Sequence, residues 1–113
     1  MSEELSVIVL MYELYKKLIE LNITIDKKYR FALSEPTIAS CSATIEQLIL
    51  AKHAPKAVKE TYLIVADAEA ELTALRIRAI LELKLANATN LLKLQAKLTE
   101  ARRQIGGWRK SVM

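Results

Sequence analysis

The chain has 113 residues, of which 52% are hydrophobic, with two glycines, two prolines and a single cysteine. That length can bury one core without disulfides or metals, and a lone thiol excludes an internal disulfide framework. Net charge is +4 and the pI about 9.3, which leaves room for an anionic partner. The opening "MSEEL" is acidic and the apolar run "LSVIVLM" is short. Neither a secretory signal nor a membrane span is expected, and the reading is a cytoplasmic protein.

Ala, Leu, Glu, Lys and Arg dominate, residues that lose little rotamer freedom in a helix, and they predict an all-α domain over residues 1–113. In the first helix, about residues 4–22, Val7, Met11, Leu14, Leu18 and Leu21 alternate at spacings of four and three. Ile8, Tyr15 and Ile19 fall beside that stripe as surplus apolar surface. Asp26 is the expected cap of the second helix, which runs to about His53 and carries Phe31, Ile38, Cys41, Ile45 and Leu48 on one side. Pro36 lies inside it. A kink there is expected, with a start near Pro36 capped by Ser34 as the other reading.

The third helix is expected from about Pro55 to Leu85. Val58, Tyr62, Val65, Ala68, Leu72, Leu75, Ala79 and Leu83 are assigned to its inward face, and Leu63, Ile64, Ile77, Ile80 and Leu81 lie outside that set. After "NATN" comes the fourth helix, where Leu91, Leu94, Leu98, Ala101, Ile105, Trp108 and Val112 keep an unbroken three-four alternation. Short connections force antiparallel neighbours. The predicted architecture is therefore an antiparallel up-down-up-down four-helix bundle.

Little in the sequence points to catalysis. His53 is the only histidine and suits a helix end, while Cys41 falls on an apolar stripe as a small buried hydrophobe. Asp67, Glu69 and Glu71 lack the helical Glu-x-x-His partner of a di-metal bundle, and no phosphate-binding glycine loop exists. Catalytic, metal and cofactor sites are all read as none. Gly106 and Gly107 interrupt the last helix either as its end, with Trp108 folding back, or as a bare surface for a close-packed neighbour.

Three stretches carry a family resemblance: "DKKYRF" at the start of helix two, "ADAEAELTALRIRAILEL" on helix three, and the leucine seam ending "IGGWRKS". In order and spacing, over about residues 10–111, they resemble the Avd family, the four-helix-bundle accessory proteins of diversity-generating retroelements. Asp26 stands where that family usually has proline. The resemblance implies a homopentameric barrel with a basic outer surface and no catalytic activity. It also implies binding to the element's reverse transcriptase and template RNA, or DNA, in support of mutagenic cDNA synthesis and retrohoming. The proteins encoded by intervening sequences of bacterial large-subunit ribosomal RNA genes share the fold.

For nucleic acid or reverse transcriptase, the candidate contacts are Lys16, Lys17, Arg76, Arg78, Arg102, Arg103 and Arg109. Arg76 ranks first, because the resemblance matches it to a functionally basic position; Arg78 lies about 200° around the helix from it. Arg102, Arg103, Arg109 and Lys110 are read as a ladder on one face, and Lys84 as lying near the side of Arg76. The tyrosines are assigned to the core or the bundle ends, so recognition of shape and phosphate is expected over base stacking. The surplus apolar stripes call for a subunit interface. A rival reading is an oligomeric structural or adapter bundle that binds protein only; a weaker one is an enzyme formed where copies of His53 or Asp67 gather at an interface.

Overall fold

A computed structural model describes residues 3–113, with side chains from residue 6 onward. Among these residues there is no strand, and the elements are α1 (Glu3–Thr24), α2 (Lys27–Tyr29), a π-helical turn (Arg30–Ser34), α3 (Glu35–His53), α4 (Lys56–Glu82) and α5 (Ala88–Val112). None of these helices is long and apolar enough to cross a membrane. The molecule measures 44 × 23 × 19 Å.

Asp26 caps α2 as expected, its side chain accepting the Lys28 N–H at 3.1 Å. Helix two then passes without interruption from α2 into α3, and the π turn is how it accommodates proline. Pro36 can give no hydrogen bond to the carbonyl of Ala32 and would crowd it; the wider turn, in which the Glu35 N–H reaches Arg30 O, relieves that conflict. Ser34 is no cap. Its hydroxyl donates to Asn22 Oδ1 at 2.6 Å and ties the turn to α1. Arg30 closes the same corner, donating to the carbonyls of Ile25 and Ile23 at the end of α1.

Each long helix runs antiparallel to the next, and α1 packs on α3 and α5 while α4 packs on α3 and α5. The bundle is therefore a square in which α1 faces α4 across one diagonal and α3 faces α5 across the other. Core residues come from one stripe per helix: Val7, Met11, Leu14 and Leu18 on α1, and Leu91, Leu94, Leu98, Ala101, Ile105 and Trp108 on α5. Both stripes were legible in the sequence. On α3 Cys41 and Leu48 are buried with Ala51, but Phe31 is 86% exposed, because the π turn rotates it off the core stripe.

The inward face of α4 differs from the sequence expectation. Leu63, Ala66, Ala70, Thr73, Ile77 and Ile80 are buried, whereas Val58, Val65, Leu72, Leu75 and Leu83 are exposed. The reason is the close pairing of α3 with α4, which demands small residues. Ser40 and Thr44 of α3 and Ala66, Ala70 and Thr73 of α4 are all buried, and the hydroxyls are satisfied locally: Ser40 and Thr73 share a 2.8 Å hydrogen bond between the helices, and Thr73 donates on to Glu69 O.

Helix α4 ends three residues before the expected Leu85. Leu85 N–H bonds Ile80 O and Lys84 N–H bonds Leu81 O, a Schellman closure with Lys84 in the left-handed region at φ 58°. Lys84 consequently leaves the helix and does not share a face with Arg76. Asn87 caps α5 through Asn90 N–H at 3.0 Å. Helix α5 then continues through Gly106 and Gly107 to Val112, so the glycines do not end it. Nor does Gly106 seat a neighbouring helix inside the monomer, since a Cβ there would meet nothing within 4 Å among the described residues.

Candidate nucleic-acid interface

The square has four outward faces, and helical spacing divides them by chemistry. Across α1 and α3 lie Tyr12, Ile19 and Ile23 with Phe31 and Ile49, all exposed. On α4 the exposed stripe Val58, Val65, Leu72, Leu75 and Leu83 lies on the outer side, between the residues that touch α3 and those that pair with α5. The corresponding outer positions of α3 are Ala39, Ala43 and Leu50. Two apolar faces thus meet at α3.

Diagonally opposite, α5 carries Lys93, Lys97, Arg102, Arg103, Arg109 and Lys110 against a single acid, Glu100. Its charge separates into two rows. Arg102 and Arg109 turn toward α4: Arg102 reaches Glu71 at 3.3 Å and Asp67 at 3.9 Å, and Arg109 reaches Asp67 at 3.6 Å and Glu60 at 3.9 Å. These two guanidinium groups are partly buried, and of the acidic run Asp67, Glu69 and Glu71 they engage Asp67 and Glu71, with Glu60 as a third partner. Arg103 and Lys110 point outward. The ladder of four on one face is therefore two pairs on two faces.

Arg103 holds Glu100 at 2.6 Å, and hydrogen bonds from Arg103 and then Gln104 bring that carboxyl down to about 2. Arg78 pairs with Glu82 on its own helix at 3.1 Å, and Lys17 lies 3.5 Å from Glu20. Lys16 rests over the Tyr12 ring, 4.8 Å from its centroid, with no acidic partner among the described residues. Arg76 is bound to the protein itself: its Nη1 donates to Pro36 O at 2.7 Å. Pro36 O belongs to the first turn of α3, so Arg76 bridges the two helices beside the apolar stripe of α4. It stands away from the cations of α5.

Two aromatics correct the sequence reading. Tyr12 is 52% exposed and Phe31 more so, and neither belongs to the core. His53 is exposed at the end of α3, but the cation that serves that end is Lys59, whose Nζ donates to Ala51 O at 2.7 Å and Lys52 O at 3.2 Å. Sequence reasoning missed Lys59; its place four residues into the next helix, after a short proline turn, was the available signal. Cys41 is buried and its thiol points at Met11 O, 3.7 Å away. Among the described residues, no group of three or more His, Cys, Asp or Glu side chains is arranged to hold a metal ion.

The arrangement can neutralise phosphates along one side of α5 and the adjoining surface of α1, where Lys16, Lys17, Lys93, Lys97 and Arg103 face solvent in whole or part. Comparison of the chain with protein families, with curated proteins and with solved structures finds no match to any of them.

Proposed function

We propose that this protein is a non-catalytic accessory protein of the Avd type, which binds a retroelement reverse transcriptase and its template RNA to support mutagenic cDNA synthesis. The supporting observation is the diagonal division of the bundle: apolar faces meet at α3, and the cations of α5 lie on the far corner. An oligomer that covers both apolar faces leaves α5 on its outer surface, where it can meet an extended anion. The pentamer number comes from the family resemblance alone.

Reversal of two outward cations tests the reading. The variant Arg103→Glu with Lys110→Glu is expected to lose about tenfold or more in affinity for a structured RNA, since each phosphate contact contributes a salt-dependent share. Its mass and melting temperature should match the parent. Undiminished RNA affinity in a correctly assembled variant would remove the basis for an RNA-facing α5.

The adapter reading, a protein-binding oligomer without nucleic acid, is favoured by one specific observation. Arg78, Arg102, Arg103 and Arg109 already have carboxylate partners, so much of the positive charge is answered within the chain. Retention of a reverse transcriptase without any RNA affinity would select it.

A further inference from the structure

Between the C-terminal half of α1 and the first turns of α5 lies an open groove of about 750 Å³. Its apolar lining is Leu21, Leu85, Ala86 and Leu94, and its polar edge includes Lys17, Lys93 and Lys97 with Glu20. We propose that this groove binds a short peptide segment of a partner protein, acidic and carrying a large apolar side chain.

The chemistry of the lining carries this assignment. Leu94 belongs to the core and Leu21, Leu85 and Ala86 pack against it, so the bottom of the groove is the edge of the hydrophobic core left uncovered where α1 and α5 reach this end. Aliphatic surface of that kind gains free energy from an apolar side chain and nothing from a phosphate. No aromatic lines it, so it offers nucleic-acid bases no stacking platform. Lysines outnumber acids along the edge. Lys97 is held by Glu13 at 3.1 Å and Lys17 lies near Glu20, whereas Lys93 has no carboxylate partner among the described residues. A ligand that pairs a carboxylate with an apolar group satisfies both features.

The length of the groove fits a short peptide. Residues 87–97 of α5 extend along the groove for about 15 Å, at 1.5 Å per residue. An extended strand covers that distance in roughly four or five residues. The surface is also free of the apolar faces at α3, so an oligomer formed through those faces leaves it open. This inference goes beyond the RNA-facing reading and does not depend on it.

The test is a display library of random heptapeptides panned on the full chain and on Asn90→Trp, a variant that puts an indole into the groove. The backbone N–H of residue 90 still meets the Asn87 cap in that variant. Enrichment of sequences with Asp or Glu beside one large apolar residue, absent on Asn90→Trp, is the expected result. The best such peptide, made synthetically, should lose about tenfold or more in affinity on Lys93→Glu through like-charge repulsion. Enriched sequences that are basic or purely apolar would overturn the proposal. So would enrichment indifferent to Asn90→Trp, or none above an unrelated helical protein, provided the variants melt like the parent.

Discussion

Lys84 adopts φ 58° at the end of α4, in the position that glycine favours, because a Cβ there crowds the following carbonyl. Replacement by glycine removes that strain while keeping both closing hydrogen bonds. Lys84→Gly should stabilise the fold by about 0.5–1 kcal/mol, read as a raised thermal midpoint. A lowered midpoint would mean that the lysine stem contributes contacts that outweigh the strain. Burial pushes the Cys41 thiol from an ordinary 9.0 up to about 12. The folded chain therefore keeps its proton where the unfolded chain loses it, and the associated stability is present below about 9 and lost as pH rises toward 12. At pH 8 a thiol reagent should modify the native protein only through unfolding, in contrast to the denatured chain. Trp108, 3% exposed, fills the core end of α5, and its indole N–H has no acceptor among the described residues. Trp108→Ala should cost about 3–5 kcal/mol. Trp108→Phe, which keeps an aromatic ring in the core and removes a donor that has no acceptor among the described residues, should cost far less. Equal melting losses for the two would contradict this account of the indole.

At the scale of elements, legibility depended on how many apolar stripes a helix carries. Helix α5 has one, and every residue of its seam from Leu91 to Trp108 is buried as the three-four alternation indicated. Helix α4 has two. The larger Val and Leu side chains drew the inward assignment, but the close α3–α4 contact selects Ala66, Ala70 and Thr73, and small size is invisible to a search for hydrophobic bulk. The basic positions were legible as residues; their partners were not, because Glu60, Asp67 and Glu71 reach Arg102 and Arg109 only once α4 and α5 lie antiparallel. The misassigned stripe now supplies a prediction about assembly. Two different apolar faces meeting at α3 suit a head-to-tail contact, in which one face of a copy meets the other face of the next. Leu75→Glu and Phe31→Glu, at 54% and 86% exposure, should each yield a folded monomer. Mixed, the two variants should form a one-to-one dimer through their remaining intact faces. Dimers formed by either variant alone would instead indicate a self-paired interface.

For the whole molecule, the four-helix bundle followed from composition and short connections, whereas its division into an apolar corner and a basic corner needed the packing order around the square. That division links assembly to function in the proposal: what the apolar faces bury determines what α5 presents. In the two proposals the lysines Lys17, Lys93 and Lys97 lie where the peptide groove between α1 and α5 borders the surface assigned to phosphate. The most direct measurement is RNA binding by the sized protein across a salt series, with light scattering on the same sample. The account predicts an oligomer whose affinity for structured RNA falls steeply and linearly on logarithmic axes as salt rises, with a slope set by the phosphates it neutralises. An oligomer that binds no RNA even at low salt would contradict it.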